Sequence, residues 1–269
     1  MFHRVCLAVI PITLLSTAPA SGETLQPIKN WVVDYRDDQC LASRDYGNPD
    51  KPITLGVRPS PNGETYELLV RQPHYGPSYA MELKAAVDFG KGPIKAWLLS
   101  YASADHKSNL YQFRISAEEM SQAKSASTVT VDPSGSPSIT FALKSMPELL
   151  QSLQACTADL ESYWNANGDK DGSIATPAKG DIRSVFSADD YPDVALQLEQ
   201  SGSTQFLLLI DEKGAVAGCH TLKPSGIPVL DAMGCQVITK RAKLSPARDK
   251  QGKAVRSTLT TPPVKWSLE

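Results

Sequence analysis

Residues 191–269 read YPDVALQLEQ SGSTQFLLLI DEKGAVAGCH TLKPSGIPVL DAMGCQVITK RAKLSPARDK QGKAVRSTLT TPPVKWSLE. Asp190-Tyr191-Pro192 starts a short helix, with Val194, Ala195 and Leu198 turned inward and Gly202 ending it. Thr204 to Ile210 is an apolar run of strand length. Asp211-Glu212-Lys213-Gly214 makes a tight turn, and Ala215 to Leu222 returns as the second strand of a hairpin. Ser225-Gly226 turns the chain again. A second helix starts at Pro228, Leu230 and Asp231 and buries Met233, Val237 and Ile238. Pro246-Ala247-Arg248-Asp249 leaves it, Gly252 turns, and Val264-Lys265-Trp266 closes the sheet. Helix, hairpin, helix and closing strands read as a small α+β domain over residues 182–269.

Upstream, residues 165–181 read NANGDKDGSIATPAKGD, polar and turn-rich without apolar periodicity. We read a flexible linker. Asn167, Asp169 and Asp171, followed by Gly172, resemble the first half of a calcium loop, where oxygen ligands alternate before a glycine turn. The twelfth position is Ala178 instead of a bidentate Glu, and Pro177 opposes a following helix, so weak calcium binding is only a secondary expectation.

Residues 21–164 read as a β-rich domain, sandwich or barrel-like. Trp31-Val32-Val33 opens a strand. Ile53 to Val57, Tyr66 to Val70, Met81 to Val87, Ile94 to Leu99 and Tyr111 to Ile115 follow, and Val129 and Val131 pair with Ile139 and Phe141. A short helix interrupts near Ala117 to Lys124. Pro147 then starts a clear helix, since its missing N–H is harmless in the first turn. Leu149, Leu153, Cys156, Leu160 and Trp164 share one face of it.

Phe2-His3-Arg4, the apolar run Cys6 to Leu15 and Ala18-Pro19-Ala20 have the order of a secretory leader cleaved after Ala20. The run is too short for a membrane anchor, which needs about 20 apolar residues. Export places the remaining cysteines, Cys40, Cys156, Cys219 and Cys235, in an oxidising compartment. Four cysteines allow three pairings. Two lie in each expected domain, which favours Cys40 with Cys156 and Cys219 with Cys235. With the leader removed, 27 bases less Arg4 against 29 acids give −3. That balance argues against a nucleic-acid binder.

The order Tyr191-Pro192, Ala195, Gly214, Ser225-Gly226, Leu230-Asp231 and Pro246-Ala247 resembles the C-terminal domain of the TonB family. Lys223-Pro224 and Leu244 depart from that pattern. The first domain is similar in layout to exported proteins of the invasion-associated locus B type. The TonB resemblance implies a periplasmic, non-enzymatic contact module. In that family a sheet edge pairs with an extended peptide of a TonB-dependent outer-membrane receptor. The edge is expected at Ala254, Val255, Arg256, Ser257, Thr258 and Leu259, or at Val264 to Leu268. The other reading is a periplasmic binder of a small ligand or envelope polymer through the N-terminal β domain.

Nothing in the sequence supplies an enzyme site. His74, His106 and His220 have no metal spacing, and no nucleophile elbow or phosphate loop appears. No cofactor is expected. Cys219 and His220 are strand neighbours, so they point to opposite faces. His74-Tyr75 reads as a surface loop, and Lys240-Arg241-Ala242-Lys243 as a helix end favoured by the dipole.

Overall fold

In the computed structural model, residues 22–73, 81–103, 105–133 and 137–268 are described. The expected leader and the His74-Tyr75 loop lie outside them. Nine strands build the first unit: β1 Val32–Tyr35, β2 Cys40–Tyr46, β3 Ile53–Pro59, β4 Thr65–Pro73, β5 Met81–Asp88, β6 Ile94–Ala102, β7 Ser108–Ser116, β8 Thr128–Pro133 and β9 Ile139–Ala142. They form one antiparallel sheet ordered β1-β2-β3-β4-β7-β6-β5-β8-β9. Val129 pairs with Phe141 and Val131 with Ile139, as the sequence suggested. Alternation separates two faces. Leu68, Val70, Phe113 and Ile115 are buried on one, while Glu67, Gln112 and Arg114 occupy the other.

The sheet curls into a half-barrel. The Leu25 N–H donates to Thr140 O at 2.8 Å, and the Ile28 N–H to Asp45 O at 3.0 Å, so one short segment touches both β9 and β2. Helix α1, Ala117–Met120, is capped by Ser116 and Glu119, each bonding the other's backbone. Helix α2, Met146–Tyr163, lies against β1, β2 and β3 and buries Leu149, Leu153, Cys156 and Leu160. A disulfide joins Cys156 to Cys40, with Cα atoms 6.1 Å apart. Strand β2 has no counterpart among the sequence-derived strands. Its inward residues are Cys40, Ala42, Arg44 and Tyr46, and the arginine breaks the apolar alternation. Arg44 is satisfied there, since Nε donates to Lys29 O at 2.7 Å and Nη1 to Lys144 O at 3.1 Å.

After α2 comes a single turn, α3, Gly168–Asp171. Residues 175–179 then run along the second unit. Thr176 and Arg248 exchange backbone bonds of 3.0 and 2.8 Å, and Lys179 and Ser245 exchange bonds of 3.1 and 2.8 Å. Ala178 and Ile182 are buried in the second core.

That unit contains α4 Asp193–Gln197, β10 Gly202–Ile210, β11 Val216–Lys223, α5 Pro228–Arg241, β12 Ala247–Arg248, β13 Ala254–Val255, β14 Ser257–Thr260 and β15 Val264–Trp266. Two sequence details change. Leu198 is 62% exposed instead of inward, and Gly202 opens β10 instead of ending a helix. The cause is the early end of α4, where Glu199 adopts a left-handed φ of 51°. Strand β10 is central. β11 pairs with it on one side, and β14 and β15 follow each other along the opposite side. Helix α5 packs over β10 and β11. Gly234 permits the approach, because a Cβ there would lie 2.4 Å from Phe206 Cζ. Cys235 on α5 is bonded to Cys219 on β11, Cα to Cα 5.5 Å.

Candidate functional site

Sheet edges attract extended chains because their backbone groups lack partners. The second sheet has one edge at β11 and the other along β14 and β15. The β11 edge lies against the first unit. His220 and Asp38 line one cleft, and a Cβ on Gly218 would sit 3.4 Å from Asp38 Cβ. The opposite edge holds the residues singled out from the sequence, divided among three settings. Ala254 and Val255 pair with Arg248 and Ala247 in a separate two-stranded ribbon. Arg256 lies 4.0 Å from the Tyr163 ring centre and 3.2 Å from a Glu212 carboxylate oxygen. Its carbonyl accepts from Asn165 Nδ2 at 2.9 Å. Ser257, Thr258 and Leu259 pair with Ile210, Leu209 and Leu208 of β10.

Hydrogen-bond parity shows which backbone groups face outward. The Thr261 N–H donates to Phe206 O at 2.9 Å, in register with the β14 pairing. Antiparallel bonds recur every second residue, so Leu259 and Ser257 also face β10. Thr258 and Thr260 therefore turn their N–H and C=O groups outward. Pro262 and Pro263 follow and bring no donor. The register along β10 slips by one residue there before β15 resumes the edge. A groove of about 390 Å³ runs beside β15, lined by Pro263 to Ser267 and walled by Phe186 and Tyr191.

A second concave site, of about 410 Å³, lies between the two units. Its floor is the outer face of the large sheet. Arg58 Nε donates to Glu67 Oε2 at 2.7 Å, Arg114 Nη2 to Glu67 Oε1 at 2.9 Å, and Gln112 Nε2 to the same oxygen at 2.6 Å. Burial would raise the Glu67 carboxyl pKa, but Arg58 and Arg114 outweigh it and hold it at about 2. The roof is β11 and α5. Asp231 is 4% exposed, and its Oδ1 accepts from Thr204 Oγ1 at 2.6 Å and from the Ser225 N–H at 2.9 Å. Burial first, then Arg58, pushes the His220 pKa down to about 4, so its imidazole is neutral at pH 7.

Residues 187–268 match the family described as Gram-negative bacterial TonB protein, C-terminal. The second unit is a TonB C-terminal domain. No curated protein and no solved structure matches the chain. The TonB C-terminal domain is a non-enzymatic protein-interaction domain of energy transduction, and its presence fits a periplasmic role in TonB-type transport. Among the described residues no helix is long and apolar enough to cross a membrane.

The Asp171 carboxylate accepts from the Ser173 N–H at 2.8 Å, beside the α3 turn that carries Asp169. Among the described residues no three His, Cys, Asp or Glu side chains gather as a metal site. Arg241 at the end of α5 makes a bidentate pair with Asp190, at 2.6 and 2.8 Å, so a specific partner adds to the dipole argument. Cys219 joins α5 while His220 faces the first unit, as strand alternation requires. The cleft was missed from sequence. Gln112 and Arg114 alternate with Tyr111, Phe113 and Ile115, a pattern that ordinarily marks a solvent face.

Proposed function

We propose that this chain is a periplasmic interaction protein. Its TonB C-terminal domain captures an extended segment of an envelope protein, of the TonB-dependent receptor class, by pairing along the β14–β15 edge. The observation that carries this reading is the outward backbone of Thr258 and Thr260, in a domain whose family matches over residues 187–268. Main-chain pairing supplies affinity in such complexes, and side-chain pockets supply selectivity. The Pro262-Pro263 break divides the edge into two short pairing segments, which limits self-association through it.

Thr258→Pro removes one outward donor and leaves the inward bonds of Ser257 and Leu259 in place, whereas Thr258→Ala keeps the donor. Calorimetric titration of the full chain with receptor-derived peptides tests the reading. Thr258→Pro is expected to weaken binding about tenfold or more, with Thr258→Ala close to wild type. Equal affinities in all three proteins would rule out β14 pairing.

A further inference from the structure

The cleft between the units holds one buried polar atom without a partner, His220 Nε2, beside a loose ion pair, Arg114 with Asp231. Arg58 is held by Glu67 and Gln39 through all three of its nitrogens, and Glu67 accepts from Arg58, Arg114 and Gln112. Three groups retain capacity. Arg114 Nη1 stands 4.0 Å from Asp231 Oδ2, too far for a hydrogen bond. His220 Nε2 is buried without a partner. With Nδ1 protonated and turned toward the Asp38 backbone, Nε2 is left as a bare acceptor in the neutral ring.

The chemistry of these three groups selects a ligand class. An oxygen placed about 2.8 Å from both Arg114 Nη1 and Asp231 Oδ2 must accept from the first and donate to the second. A hydroxyl does both. A carboxylate or phosphate would meet the Asp231 carboxylate, and an ammonium would meet Arg114. His220 Nε2 requires a further donor, which a second hydroxyl supplies. An apolar ligand would strand all three groups. Trp97, 52% exposed, stands at the rim and offers an aromatic face to a C–H surface. Among the described lining residues the carboxylates of Asp38, Glu67 and Asp231 face Arg58 and Arg114, so net charge gives an anion no advantage there.

We propose that this interdomain cleft is a binding site for an uncharged saccharide of about two sugar rings, a size that suits a pocket of this class. One hydroxyl bridges Arg114 and Asp231, another donates to His220 Nε2, and Trp97 packs on the ring face. The site is separate from the β14–β15 edge and does not depend on edge pairing.

The test is calorimetric titration of the full chain with cellobiose, maltose and N,N′-diacetylchitobiose, alongside succinate and putrescine as charged probes. At least one disaccharide should bind at millimolar affinity or better, and more tightly than either charged probe. That affinity should fall about tenfold or more in Trp97→Ala and in His220→Asn. Trp97 is half exposed, so its removal leaves the core intact, and the amide introduced by His220→Asn would keep a donor near the position of the imidazole Nδ1. No disaccharide binding at up to about 20 mM, tighter binding of a charged probe, or unchanged affinity in either variant would overturn the proposal.

Discussion

The neutral imidazole of His220 makes this fold sensitive to mild acid. Its pKa lies at about 4 in the folded chain against an ordinary value of 6.5. The unfolded chain therefore takes up this proton first as pH falls, and folding stability drops. The loss begins near pH 6.5 and is complete only below about pH 4. One pKa unit corresponds to about 1.4 kcal/mol, so the loss is about 2 kcal/mol at pH 5 and about 3 kcal/mol at pH 4. His220→Asn removes the titrating group while retaining a donor for the Asp38 carbonyl. Urea unfolding at several pH values, followed by tryptophan fluorescence, reads the difference. With a slope of about 3 kcal/mol per molar urea, the wild-type midpoint should fall by about 1 M more than the variant midpoint between pH 7 and pH 4. Glu67 keeps its depressed pKa of about 2 in both proteins, so its contribution cancels in the comparison. Parallel pH profiles would refute the argument, because they would mean that His220 protonates as readily in the fold as in water.

Glu67→Gln should destabilise by about 3 to 5 kcal/mol, because Arg58 and Arg114 would face each other without their shared carboxylate; chemical denaturation at pH 7 measures it. The wild-type contribution is present above pH 4.5 and disappears as pH falls through about 2. Gly234→Ala should lower stability by about 1 to 3 kcal/mol through overpacking, since the new methyl would meet the Phe206 ring at 2.4 Å. Replacing Cys40 and Cys156 together by Ser opens a loop of 116 residues, and the chain-entropy argument gives a loss of about 5 kcal/mol, visible as a lower melting temperature.

The parts legible in the sequence are those governed by short periods. The α2 face from Leu149 to Leu160 could be read directly, because helix periodicity alone defines it. The cysteine assignment followed, since Cys156 shared that face and each expected domain held one pair. Strand β2 escaped because Arg44 occupies an inward position, where two backbone carbonyls and the rings of Trp31 and Tyr46 receive it. No local pattern announces such a site. The cleft escaped for a related reason. Arg58, Glu67 and Arg114 come from three strands, and His220 and Asp231 from the other unit, so no spacing along the chain brings them together. At the edge, the segment Ala254 to Leu259 looked continuous. Arg256 divides it, because its aromatic and carboxylate partners lie far away in sequence.

Docking of the first unit also gives direction to the TonB C-terminal domain. A free sheet of these four strands would offer both edges to a partner. Here β11 is turned toward the 38–39 turn and the outer face of the large sheet, so addition on that side would require the units to separate. The opposite side begins with a restraint as well. Asn165, just past α2, occupies the outward carbonyl of Arg256, and the rings of Tyr163 and Trp164 hold the side chain. The available edge therefore starts at Thr258, pauses at Pro262-Pro263, and continues beside the aromatic wall of β15. The same docking that closes β11 creates the cleft, because Arg114 and Asp231 meet only when the units are together. A ligand bridging those two residues would favour the docked arrangement by its differential affinity for it. One interface thus both covers the β11 edge and forms the cleft.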